Sequence, residues 1–260
     1  MPKTSKLPEE LPRWSGAAIK PARGMGRRGV LAAAAAVLAG CQQPGALSQN
    51  AQSEGAVPRL GPDRTGYIAI QAPITNRLRD VFAAGVNRML DLGAAEIHVL
   101  IASPGGSVGA AQDMIAFMDK TSSERGVRFT THNAGVVASA ACYVFLAGQR
   151  RLSVPRGKFL FHEATLVTNG PLNSRHLEEA SAEARRIERS FLAMLTTKTK
   201  LTEGEASSFV RRTVILDADE ARRDGIVETV SGFTLPQGAN VLHIRAVPDA
   251  AGKAGPTQGA

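Results

Sequence analysis

Cysteine is nearly absent from this chain, with two residues, Cys41 and Cys142, in 260. That excludes a disulfide scaffold and a four-cysteine zinc site. Histidine is also scarce. Of five, His98, His132, His176 and His243 stand at no metal-ligand spacing and read as solvated or structural, so no metal and no cofactor are expected. There is no phosphate-binding loop of the ATPase type and no internal repeat. The longest apolar run, ending at Leu38, spans only about ten residues, too few to cross a bilayer of roughly 30 Å. What is present is a composition of 43% hydrophobic and 21% charged residues, which supports a packed core and excludes wholesale disorder.

The net charge of +8 is unevenly placed. Seven Lys/Arg and two Glu fall in residues 1–40, which leaves only +3 for the other 220 residues. The basic balance therefore belongs to the N-terminal segment and gives no reason to expect a nucleic-acid partner. Within that segment Arg27-Arg28 precedes an alanine-rich run that ends in Leu38-Ala39-Gly40-Cys41. A positive end, a mild apolar run and small residues make a secretory signal. The adjacent arginines resemble a twin-arginine export signal, and the last four residues resemble a bacterial lipobox. That resemblance implies cleavage before Cys41, a lipid anchor on Cys41 and, with Gln42 following, an outer-membrane lipoprotein facing the periplasm. Residues 1–40 are then an export signal. Residues 41–62, rich in Gln, Pro, Gly, Ala and Ser, are a flexible tether. A compact domain occupies 63–246, and 247–260 form a disordered tail.

Inside the domain, strands and helices alternate. Strands are predicted at 67–70, 96–102, 127–132, 151–154, 158–161 and 226–230. A helical apolar stripe runs over 78–90, and helices follow over 108–120, 138–147 and 174–198. The last has Leu177, Ala180, Ala184, Ile187, Phe191 and Leu195 on one face. Thr202 with Glu205, and Asp217 with Glu220, have the spacing of capping boxes, and Gly225 closes the second helix. This alternation predicts an α/β domain with a mostly parallel sheet.

Three features carry chemistry. Ser103-Pro104-Gly105-Gly106-Ser107 lies between a strand and a helix, where paired glycines let a chain or an anion come close. Gly135-Val136-Val137-Ala138-Ser139-Ala140-Ala141 puts Ser139 where a strand gives way to a helix, among small side chains that leave its hydroxyl open. The amide of Ala140 is then a natural donor to a developing oxyanion. His162 ends an apolar strand and is the type of base that a serine needs near neutral pH. Each has a bland reading as well: an ordinary turn, a helix-cap serine, a structural histidine. Cys142, three residues after Ser139 among Ala and Val, reads as a small core residue.

The order of the three features resembles the proteolytic subunit of the Clp protease, within the fold superfamily shared with crotonases. The likeness runs from about Tyr67 to Val230. It includes VLIASPGGSVGAAQDMIAFM, GVVASAACYVFLAGQRRLSVPRGKFLFH and LDADEARRDGIVETV, the last fitting a closing L-x-A-x-E-A-x-x-x-G-[LI]-V-[DE] pattern. The resemblance implies a long helical handle at 174–198, Ser139 as nucleophile and His162 as base. It implies Gly106 and Ala140 as oxyanion donors, and a strand-like stretch of Gly105, Ser107 and Val108 that pairs with an extended peptide substrate. It also implies a homo-oligomer.

One position departs from the pattern. The family's acid lies three residues before the leucine of the closing motif, here Leu216, and that place is held by Thr213. Either a Ser–His dyad works slowly, or another acid such as Asp217 or Asp219 reaches His162, or catalysis is lost and binding kept. Asp217 is more simply a helix cap. An exported chain has no ATP supply, so no ATP-driven unfoldase is expected, and the substrates would be peptides or unfolded proteins. A crotonase-like acyl-CoA reaction fits the fold but not the serine–histidine pair or export.

Overall fold

The computed structural model describes residues 60, 63–165, 173–237, 239 and 241–245. The export signal, Cys41, most of the tether, the C-terminal tail and most of the loop after His162 lie outside the described residues.

Eight strands form one sheet. In order across it run β6 (Val214–Asp217), β5 (Lys158–Phe161), β3 (Arg128–Ala138), β2 (Glu96–Ser103), β1 (Thr65–Gln71) and β8 (Val241–Arg245). All these pairs are parallel except β5 with β6. The strand β4 (Arg150–Ser153) pairs with the first half of β3 and, on its other side, with β7 (Thr229–Val230). The sheet is thus the mostly parallel α/β architecture expected from the alternation.

Local chemistry sets the helix ends. In α1 (Asn76–Asp91) the Thr75 hydroxyl accepts from the Leu78 amide, and in α2 (Val108–Arg125) the Ser107 hydroxyl accepts from Ala110. Gly126 closes α2 at a left-handed φ of 65°, a conformation that needs no Cβ. Both expected capping boxes form, Thr202 with Glu205 ahead of α5 (Glu203–Arg211) and Asp217 with Glu220 ahead of α6 (Ala218–Arg223). The short α3 (Ala140–Leu146) has no solvent face: all seven residues are buried. Its Ala-Ala-Cys start lets a helix pass through the core. The Cys142 thiol donates to carbonyls of Val137 and Leu160, and burial pushes its pKa up, so it stays an inert thiol.

Two expected strands are corrected, two strands were not foreseen, and one apolar face packs only in part. The strand expected at 127–132 runs on to Ala138, because Val136–Ala138 pair with Lys158–Leu160 of β5. The expected strand 226–230 shrinks to two residues, with Ile226 and Val227 in the core instead. The strands β6 and β8 carry no alternation strong enough to be read locally. Leu177 is 55% exposed, not inward, because only the C-terminal half of α4 (Ser174–Lys198) packs down, through Ile187, Phe191 and Leu195. Arg151, buried on β4, donates to the carbonyls of Gly148, Lys198 and Ile226 and so ties the ends of α4 and α6 to the sheet.

On the sheet face opposite the main core, two of the histidines read as solvated or structural form a chain of hydrogen bonds. His98 Nε2 lies 3.2 Å from Glu96 Oε1, and His132 Nε2 lies 3.0 Å from His98 Nδ1. The same carboxylate accepts from Thr130 Oγ1 and from Arg128. Burial works against its charge, but Thr130, His98 and Arg128 hold the Glu96 pKa below the usual value. A carboxylate only accepts, so His98 carries its proton on Nε2, and neutral His132 must then donate through Nε2. The rings of His98 and His132 stack at 4.9 Å, with Phe233 4.4 Å from His132 and Tyr67 5.1 Å from His98. Burial, then the neighbouring His98 and Arg150, lowers the His132 pKa to about 4; burial also lowers that of His98.

Candidate active site

The glycine turn and the serine turn are built against each other. Ser103, fully buried, donates through Oγ to the Ala72 carbonyl and accepts from the Gly105 amide. Next to it the backbone pairs with Ile74: the Ile74 amide donates to Gly105 O, and the Ser107 amide to Ile74 O, each at 2.8 Å. Those two bonds point Gly106's own amide the other way, as alternation along an extended chain requires. Among the described residues it has no acceptor. Gly105 and Gly106 have φ of 88° and 143°. A Cβ on Gly105 would lie 2.6 Å from both the Ala138 carbonyl and the Ser139 Cβ, and one on Gly106 only 2.3 Å from the Ile74 carbonyl. Bare glycine backbone is what lets the first turn lie on the second. The strand-like run expected over Gly105–Val108 ends at Ser107, since Val108 opens α2.

Gly105→Ala therefore places a methyl group inside contact distance at a left-handed φ. It is expected to cost about 3 kcal/mol of stability, from conformational strain and overpacking together. Urea unfolding followed by circular dichroism measures this; an unchanged midpoint would show that the two turns do not touch.

Ser139 sits between the end of β3 and the start of α3 with φ 55° and ψ −131°. It is one of two described non-glycine residues at positive φ. Such a conformation costs about 1–3 kcal/mol and persists only where surroundings impose it. Here the Ser139 amide donates to Leu160 O at 2.7 Å, and its carbonyl accepts from Cys142 at 2.9 Å. The residue is half-exposed, and among the described residues its hydroxyl has no hydrogen-bond partner, His162 included. The amide of Ala140 likewise donates to no described residue.

His162 follows β5 directly, two residues beyond the carbonyl that anchors Ser139. Its Nδ1 lies 2.7 Å from the Glu163 carbonyl oxygen. A carbonyl only accepts, so the proton is on Nδ1 and Nε2 is left with a free lone pair. In the antiparallel β5–β6 ladder Phe161 faces Val214 and Lys158 faces Asp217. The ladder ends at the Phe161–Val214 pair, with His162 and Thr213 the next residues outward on the two chains. Asp217 stands four residues along the ladder, about 13 Å away at strand rise, and its carboxylate accepts from the Glu220 amide as the cap of α6. Asp219 is on α6, 3.5 Å from Arg222. The structure thus gathers Gly105, Gly106, Ser139 and Ala140, ties Ser139 to the strand that leads into His162, and keeps Asp217 and Asp219 on the cap and body of α6.

The chain matches the Clp protease family over residues 64–233, about two thirds of its length. It belongs to the Clp protease family. A proteolytic subunit of the ATP-dependent Clp protease from Chlorella vulgaris is 31% identical over 149 residues, which cover 55% of this chain and 71% of the algal protein. A mutant of ClpP1 from Listeria monocytogenes has the same fold, with a TM-score of 0.55 at 20% identity over 63% of this chain and 90% of that one. The family match covers every gathered residue.

Two participants escape a reading of the sequence. The Glu163 carbonyl, partner of the His162 ring, is backbone and has no residue signature. Tyr143 reads as one more apolar residue of a core helix, yet it lines a cavity beside His162.

Proposed function

We propose that this Clp protease family member is a serine endopeptidase that cleaves peptides or unfolded proteins, held at the cell envelope by a lipid on Cys41. The observation that carries the catalytic part is the bond from the Ser139 amide to Leu160 O, which sets an open serine elbow beside the strand that leads into His162. In the reaction, Ser139 Oγ attacks the scissile carbonyl while His162 Nε2 takes its proton. The oxyanion is held by the amides of Gly106 and Ala140. His162 returns the proton to the leaving amine, the C–N bond breaks, and an acyl-serine remains. Water, deprotonated by the same ring, then attacks the ester, releasing the acid and restoring Ser139. The Glu163 carbonyl, through Nδ1–H, keeps the ring in the tautomer this cycle needs.

The envelope location rests on Arg27-Arg28, the alanine run and Leu38–Cys41. Without an ATP supply outside the inner membrane, the enzyme acts without an unfoldase, as a homo-oligomer. A second reading is favoured by Thr213, which puts no charge opposite His162: a weakly active or inactive module that holds extended peptides in the same groove.

A serine-reactive fluorophosphonate probe decides between them. The folded full-length protein should be labelled, whereas Ser139→Ala should not be labelled and His162→Ala should react at least a hundredfold more slowly. No labelling of folded wild-type protein would leave the peptide-binding module.

A further inference from the structure

The fold collects positive charge in one place that includes neither Ser139 nor His162. The strand β4, the C-terminal end of α4 and the segment that leaves α6 meet around an open concavity of about 610 Å³. Small molecules bind in spaces of roughly 300–1,000 Å³. Arg151, Lys198, Lys200, Arg222 and Arg223 line this one, with Glu228 as the one carboxylate among them. Five cations and one acid leave +4, more than the +3 that residues 41–260 carry together. The rest of that segment is therefore close to neutral, and its positive field is focused here.

Part of this charge is used within the protein. The buried Arg151 guanidinium donates to the Lys198 and Ile226 carbonyls and lies 3.4 Å from Glu228. The C-termini of α4 and α6 border the space, and each acts as about half a negative charge at most. Together they balance about one cation. Arg222 and Arg223 lie 3.5 and 3.8 Å from Asp219 and Glu220. Exposed pairs at this spacing are worth only about 0.2–0.5 kcal/mol, so both guanidinium groups can turn to a stronger partner. Lys198 and Lys200 make no ion pair among the described residues. Four cations from the α4 end and the α6 end thus border open space with no strong protein anion among them.

We propose that this concavity binds phosphate groups, carried by a di- or triphosphate or by an anionic lipid headgroup. Arginine forks match the oxygens of a phosphate in pairs, and lysine adds compact charge. A tetrahedral, multiply charged group can meet cations from α4 and from α6 at once, which a single flat carboxylate does less well. The site shares no residue with the peptidase centre and stands independently of it.

The test titrates the folded full-length protein with tripolyphosphate in a calorimeter at fixed ionic strength. Lys198→Gln with Lys200→Gln should weaken binding at least tenfold. Glutamine keeps most of the Lys200 stem that lies over Gly225, so the fold should survive, as thermal unfolding checks. Arg77→Gln with Lys120→Gln removes the same charge from exposed positions on α1 and α2 and should hold affinity within twofold. The same three proteins are sedimented with phosphatidylglycerol and with phosphatidylcholine vesicles; their N-terminal segments are identical, so any anchoring there is common to all. Loss in the lysine pair alone supports the site, with tripolyphosphate as probe for a free phosphate source and phosphatidylglycerol for a lipid one. Binding to neither probe, equal loss in the control pair, or citrate bound as tightly as tripolyphosphate overturns the proposal.

Discussion

Thr213→Asp is expected to raise kcat/KM by about a hundredfold, as measured on a peptide substrate or as the rate of fluorophosphonate labelling. The residue precedes Val214 and His162 follows Phe161, so the two flank the last pair of the β5–β6 ladder. A carboxylate there competes with the Glu163 carbonyl for the Nδ1 proton. It adds what the carbonyl lacks, a full negative charge beside the imidazolium that forms during acylation. Loss of the acid in a complete triad costs about 10⁴ in kcat, most of it through the wrong tautomer. The carbonyl already sets the tautomer here, so the gain is smaller than that figure. Thr213 is solvent-exposed, and the substitution should change stability by less than about 0.5 kcal/mol. An unchanged rate would mean that Nδ1 stays on the carbonyl and that the chain runs on a dyad by construction.

Acid should destabilise the protein well before its carboxylates are stripped of charge. The His132 pKa is lowered to about 4 from an ordinary 6.5, and that of His98 is lowered too. Both rings are therefore neutral in the folded chain at a pH where the unfolded chain has protonated them. The unfolded state then binds more protons, so stability rises with pH across this window. It is fully present above about pH 6.5 and is lost as pH falls towards 4. For His132 alone the full shift corresponds to roughly 3 kcal/mol. Urea midpoints at pH 7.5, 5.5 and 4.5 should fall steadily. His132→Leu should flatten the dependence by about half while costing some stability at pH 7.5, where His98 Nδ1 loses its donor. A midpoint that does not move between pH 7.5 and 4.5 would contradict the buried, neutral pair.

Each signal that could be read from the sequence acts over a few residues. The Thr202–Glu205 and Asp217–Glu220 boxes are bonds across three positions, and both form as their residue types dictate. The paired glycines and the serine among alanines are local as well: their small side chains announce close backbone approach before anything shows what approaches. For the same reason helix periodicity located α4 but not its burial. Amphipathic spacing says which side chains share a face, and Leu177 shares one with Ile187 while staying in solvent.

What only the tertiary structure decided depends on partners far along the chain. β3 continues to Ala138 because β5, more than twenty residues on, offers its edge. The antiparallel register of β5 with β6 brings Thr213 and His162 to one end of the ladder and carries Asp217 to the other, where it caps a helix. Backbone groups have no sequence signature, so the Glu163 carbonyl at His162 is visible only once the chain is folded. His98 and His132 lie 34 positions apart and become one hydrogen-bonded pair only through the β2–β3 ladder. By itself the sequence determined the mostly parallel α/β class, the two capping boxes and the small-residue turns around Ser139. Long-range strand pairing and core packing, with energies spread over contacts distant in sequence, decided which of its polar groups meet.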